Sequence, residues 1–306
     1  MLLFGHQHIW HFLKQSAQSG KISHAYLFSG PEKVGKKTVA LEFIKFLNCE
    51  DKNIKNRPCQ ECRVCREITR KNYPDLFFIS PLKKEIQIDQ IKNLNWQLSL
   101  QRYESFFKTA IIDEAHLMNK EAQNCLLKTL EEPKGQTIIF LISSFPELIL
   151  PTIASRTKKI KFSRVGKKET EKFLKGEKLS EEKIKKMISI AWGRPGEIID
   201  FLSDPEKLKE REKRLEELEK LIGSPLNLRF EYAKKITQNP EELKEILSIW
   251  LEYFREKFLS LVENSEDEKL FLKLKKVINL IQDINFLISK TEVNKTLAIE
   301  NLLMEI

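Results

Sequence analysis

Apolar residues follow two different rhythms along the chain. In the first half, "AYLFS" at 25–29, "PDLFFISP", "KTAIIDEAH" and "TIIFLISSFP" are compact apolar runs bounded by polar or turn residues, the pattern of buried strands. Between them, "KTVALEFIKFLNC" places Val39, Leu41, Phe43, Ile44 and Leu47 at helical spacing, and "IDQIKNLNWQLSL" and "KEAQNCLLKTLEEP" do the same. Strands alternating with helices predict an α/β fold with a parallel sheet covered on both faces. After about Phe162 the rhythm is helical throughout. Gly193, Pro195 and Gly196 punctuate one junction and Asp204-Pro205 another. The predicted organisation is an α/β domain over 1–163, a small helical domain over 164–205 and a larger helical domain over 206–306.

Composition agrees with a soluble globular chain of two or three domains: 306 residues, 41% hydrophobic and 32% charged. The opening "MLLFGHQHIWHFLK" is interrupted by His and Gln and lacks a small-residue cleavage site, so it reads as neither signal peptide nor membrane span. No later run approaches spanning length, which predicts a cytoplasmic protein with no membrane partner. The net charge of +9 permits a polyanionic partner. Mixed runs such as "PEKLKEREKRLEELEKL" read instead as solvated faces, so charge alone does not point to nucleic acid.

The stretch "SGPEKVGKKT" fits G-x-x-x-x-G-K-[ST] at Gly30, Gly35 and Lys36 and fails at Lys37. Its place between a predicted strand and a predicted helix is the setting in which backbone N–H groups converge on phosphate. An ammonium at position 37 repels Mg²⁺ and offers it no lone pair. Thr38 has a hydroxyl but lies about 100° further round the helix. Binding of a nucleotide such as ATP survives this change better than hydrolysis does. Asp113 and Glu114 end an apolar strand as a degenerate Walker B pair, a metal-holding carboxylate followed by one that polarises water.

Cys49, Cys59, Cys62 and Cys65 are spaced C-x9-C-x2-C-x2-C. Overlapping C-x-x-C steps predict a four-thiolate structural zinc site, with an iron–sulfur cluster as the alternative. Zinc would hold a loop too short to bury a core. Lys55, Arg57, Arg63, Arg66, Arg70 and Lys71 lie near these ligands and read as solvated, with contact to a polyanion as the alternative. Cys125, in a helical stretch, is expected to be buried in the core.

Taken together, "SHAYLFSGPEKVGKKT", the four cysteines, "IQIDQI", "IIDEAHLMNKEAQNCLLKTLEEP", "LPTIASR" and the terminal "NKTLAIENLL" resemble, in order and across the chain, the bacterial DNA polymerase III clamp loader, an AAA+ family. The resemblance is nearest to its delta-prime branch, with gamma/tau as close relative. It implies a RecA-like domain with a zinc module at about 49–65, then a helical lid and a helical collar that joins subunits in a ring. The implied partners are gamma/tau and delta subunits and, indirectly, the sliding clamp and primed DNA. Arg156 matches the arginine that reaches in trans into a neighbour's ATP site, although Thr157 replaces the Cys of that motif. Ser143 and Ser144 fall at the first sensor. In "GRPGE", Gly196 stands where motor subunits carry a sensor arginine, and Arg194 is expected to point elsewhere. The resemblance also implies that the chain ends with the collar, without a long motor subunit's extension. With Lys37, these departures imply a subunit that assists hydrolysis next door, the alternative being an active gamma/tau-type motor.

Overall fold

The computed structural model describes residues 4–82, 84–103, 105–176, 179–264, 267–290 and 293–306. Residues 1–3, which open the N-terminal stretch, and 177–178, within the region after Phe162 read as helical, lie outside them. The chain divides into two compact units, Met1–Ile184 with Gly193–Glu197, and Lys185–Trp192 with Ile198–Ile306.

The first unit runs α1 (Gln7–Gln18), β1 (Ala25–Ser29), α2 (Lys36–Asn48), α3 (Arg63–Thr69), β2 (Leu76–Ile79), α4 (Ile88–Ser99), β3 (Lys108–Ile112), α5 (Lys120–Glu131), β4 (Thr137–Ser143), α6 (Pro151–Ser155), β5 (Lys158–Lys161) and α7 (Lys167–Leu174). Its strands form one five-stranded sheet in the order β2-β3-β4-β1-β5, and every pairing is parallel. The four apolar runs of the sequence are β1 to β4, with β2 at one edge of the sheet and β3, β4 and β1 inside it. Their side chains alternate between two cores, as a period of two demands. Tyr26, Phe28, Ile111, Ile138, Phe140 and Ile142 pack on one face with Phe43 and Ile44 of α2. Ala25, Leu27, Ala110, Ile112, Ile139 and Leu141 pack on the other, with Leu94 of α4 and Leu126 of α5. A strand buried on both faces cannot alternate polar and apolar, which is why these runs read as continuous.

β5 departs from the apolar pattern. Its sequence is Lys-Lys-Ile-Lys and only Ile160 is buried, the composition of a protected edge strand. Cys125 is also corrected by the structure. It is half-buried rather than in the core, packed against the α5-side cluster, with its carbonyl accepting from Asn95 Nδ2 at 3.0 Å.

Beyond α7, the described elements are helical: α8 (Glu181–Ala191), α9 (Pro195–Ser203), α10 (Pro205–Ile222), α11 (Leu226–Ile236), α12 (Pro240–Asn264), α13 (Glu268–Lys290) and α14 (Lys295–Glu305). The second unit has its own core, built around Trp250 with Leu218, Leu247, Ile281 and Leu302, all fully buried. Asp204 caps α10 by accepting from Glu206 N, with Pro205 at the first helical position. Among the described residues, no helix is long and apolar enough to cross a membrane.

Candidate nucleotide-loop and metal centre

The carboxyl ends of parallel strands are where α/β sheets place their ligand sites. Here β1 runs into the loop 30–35, β3 ends at Asp113-Glu114, and β4 ends at Ser143-Ser144. Gly30 has φ +141°, and a Cβ there would lie 2.2 Å from the carbonyl oxygen of Phe162. Only glycine lets the loop leave β1 in this direction. Gly35 caps α2, whose first residues are Lys36 and Lys37.

Lys36 is buried and its ammonium meets three oxygens: Gly30 O and Pro31 O at 2.6 Å each, and Ser144 Oγ at 3.2 Å. Burial lowers its pKa to about 8, against the upward pull of Glu32, Asp113 and Glu114. Lys37 turns the other way. Its Nζ lies 2.7 Å from Asp113 Oδ2 and 5.9 Å from the ring centre of Phe78. Thr38 is half-buried on the following position of α2. Ser143 is buried, and its Oγ accepts from Phe145 N at 3.1 Å. Glu114 adopts φ +50°, a left-handed backbone that is costly for a non-glycine residue and turns the chain sharply at the end of β3. His116, two residues on, is buried against Phe145, and its Nδ1 finds no protein partner. Burial, with the charge of Lys36 second, brings it down to about 4 despite Asp113.

The loop is also touched from α9. Lys33 has φ +58°, and its carbonyl accepts from Gly196 N at 2.7 Å. A Cβ on Gly196 would lie 2.9 Å from both Cβ and O of Lys33. Glu197 is buried, with Lys33 Nζ and Arg194 Nη2 each 3.5 Å away. Arg194 is itself buried in this ion-paired turn, away from solvent. His6 reaches the same loop, its Nε2 donating to Val34 O at 2.9 Å.

The four cysteines come together as a separate cluster. Their Sγ atoms all lie within 4.8 Å of one another, and all four are free thiols. Cys49 ends α2 and Cys62 caps α3. Cys62 N donates to Cys59 Sγ at 3.3 Å and Cys65 N to Cys62 Sγ at 3.4 Å, so each C-x-x-C turn aims an N–H at a sulfur. Burial pushes the Cys49 and Cys65 thiols up. Cys59, against the same effect of burial, is brought to about 7 by the N–H groups of Cys62 and Glu61. Four sulfurs so close cannot all ionise unless a cation compensates them. Tetrahedral zinc–thiolate geometry needs S···S separations of about 3.8 Å. The donor set fits a metal such as zinc.

Arg156 follows α6 with other partners. Its Nη2 lies 2.7 Å from Glu131 Oε1, at the end of α5, and Nη1 donates to Thr152 O at 3.0 Å. The oxygens around Lys36, the Lys33–Gly196 contact and Glu131 were not legible as partners in the sequence. Glu131 lies within "KTLEEP", and its place at the end of a predicted helix before Pro133 was the available signal.

Known proteins share this arrangement of sequence. The chain is 37% identical over 161 residues to the tau subunit of DNA polymerase III from Bacillus subtilis (strain 168), spanning 53% of this chain and 28% of that protein. It is also 37% identical over 159 residues to the delta' subunit of the same organism, spanning 52% of this chain and 48% of the relative. The gamma subunit of Buchnera aphidicola subsp. Schizaphis graminum is 30% identical over 229 residues, which span 73% of this chain and 62% of that one. In each case the match spans less than two thirds of the relative. The crystal structure of a DNA polymerase III gamma subunit-related protein from Thermotoga maritima MSB8 shares the fold, with a TM-score of 0.51, 20% identity and coverage of 96% of this chain and 97% of that one. The family profile described as "DNA polymerase III, delta subunit" matches residues 5–166. From the glycine loop through Arg156 and the last strand, the chain belongs to the DNA polymerase III, delta subunit family.

Proposed function

We propose that the chain is a cytoplasmic clamp-loader subunit of DNA polymerase III that does not hydrolyse ATP itself and supplies Arg156 to a neighbour's ATP site. In this reading it assembles with gamma/tau and delta subunits, and the ring places the sliding clamp on primed DNA. Residues 164–205 serve as the lid and 206–306 as the collar. Cys49, Cys59, Cys62 and Cys65 hold a structural zinc that fixes the loop between α2 and α3.

The observation that carries the reading is the 2.7 Å contact between Lys37 Nζ and Asp113 Oδ2. A metal-dependent hydrolase needs an oxygen from position 37 and an available carboxylate at the end of β3. Here the first is a cation and the second is neutralised by it. Any nucleotide phosphate entering the loop would meet Lys36, yet no magnesium ion would be held beside it by these two groups. The remaining activity is electrostatic and acts elsewhere: an arginine presented to a γ-phosphate next door.

Identity to tau and to delta' is the same, 37%, so the motor reading stands as the alternative. The deciding experiment pairs two measurements. Purified chain should show negligible ATP turnover. Reconstituted with its gamma/tau and delta partners, Arg156→Ala should abolish hydrolysis at the adjacent site, where such arginines contribute about 10³–10⁵ in rate. Clear turnover by the isolated chain, lost in Lys36→Ala, would establish the motor instead.

A further inference from the structure

The guanidinium of Arg156 is held before any partner arrives. One nitrogen is 2.7 Å from Glu131 Oε1 and the other donates to Thr152 O at 3.0 Å. The two acceptors come from different helices, α5 and α6, and those helices are tied together. Gln123 of α5 accepts from Leu150 N at 2.8 Å and donates to Leu148 O at 3.2 Å. Ile153 of α6 is fully buried in the same cluster as Leu126 and Leu130 of α5. The Arg156 side chain nevertheless remains 38% exposed.

An ion pair this exposed adds little to the stability of the fold. Its effect is on order. Arginine is long and has much rotamer freedom to lose, and a planar guanidinium held by two acceptors is oriented before it docks. We infer that Glu131 is a positioning residue for Arg156: with the Thr152 carbonyl it fixes the guanidinium plane at the end of α6, so that the arginine enters the partner's site already aligned. This rests on the in-trans role of Arg156 proposed above.

The test uses the reconstituted complex carrying Glu131→Ala, Glu131→Gln, Arg156→Ala and the double variant Glu131→Ala/Arg156→Ala, with steady-state ATPase as readout. Glu131→Ala should lower kcat by about three- to tenfold with KM for ATP unchanged. Glu131→Gln, which keeps a neutral acceptor, should fall between it and wild type. The double variant should match Arg156→Ala alone, because Glu131 acts only through that arginine. An unchanged rate in both Glu131 variants, with Arg156→Ala still impaired, would overturn the positioning role and leave the finger intact. A raised rate would make Glu131 a restraint and overturn it as well, as would additive losses in the double variant. No effect of Arg156→Ala would remove both the finger and its positioner. Glu131→Gln supplies the comparison if the alanine variant folds poorly.

Discussion

Lys37 Nζ and Asp113 Oδ2 lie 2.7 Å apart, one at the start of α2 and the other at the end of β3. The contact places a protein cation beside the carboxylate that, in the proposed reading, would otherwise hold a magnesium ion. Lys37→Thr should therefore release Asp113 and restore an oxygen at position 37. We expect Mg²⁺ to tighten ATP-analogue binding at least about tenfold in the variant and to change it little in the parent chain. Calorimetric titration with and without Mg²⁺ reads this directly, and equal magnesium dependence in both proteins would dissociate Lys37 from metal exclusion.

A second prediction follows from His116. Buried beside Lys36 and Phe145, it is held near pKa 4, below the ordinary 6.5. In the unfolded chain it binds a proton as pH drops through about 6.5, whereas the folded chain resists until about 4. The unfolded state thus binds more protons in this window, and stability falls as pH falls across it. The full shift corresponds to about 3 kcal/mol. Urea unfolding at pH 7 and pH 4.5 should show a smaller loss in His116→Gln than in the parent, and identical losses would contradict the assignment.

The cysteine cluster predicts metal content. Freshly reduced protein should carry about one zinc per chain, and Cys65→Ser should lose it. If, as proposed, a metal holds this loop, its removal by a strong chelator should lower the melting temperature by roughly 5–10 °C. A metal-free preparation with an unchanged melting curve would count against a structural site.

Gly196→Arg tests the proposal that position 196 lacks a sensor arginine. A Cβ at this position sits 2.9 Å from both Cβ and O of Lys33, and the Gly196 N–H is bonded to that carbonyl. The substitution should destabilise the chain by about 1–3 kcal/mol and leave it without ATP turnover. Recovered hydrolysis in the single variant would show that the loop can move aside.

How much of this was legible depended on the range of each interaction. β1 to β4 are apolar on both faces and stood out as runs. β5 did not, because an edge strand of three lysines has a single inward residue, Ile160. The glycine loop and the four cysteines were legible because their chemistry is written in short spacings, and the structure brings the cysteine sulfurs together. The anomaly at Lys37 was visible as a wrong residue, but its partner, Asp113, lies on another strand. Glu131 beside Arg156 and Lys33 beside Gly196 were likewise hidden, since each pair meets only after chain folding joins distant segments. Cys125 was misplaced because helical periodicity does not say how deeply each position of an apolar face sits.

The contact between Gly196 N and Lys33 O has a consequence for the history open to this chain. A lineage that acquired a hydroxyl at position 37 would still find position 196, the proposed seat of a sensor arginine, closed by the backbone of residue 33, with no room for even one extra carbon. An arginine there would demand that residue 33 yield in the same step, and until then the intermediate would carry strain without reward. On the reading proposed above, such a chain is held in a supporting role by geometry as firmly as by charge.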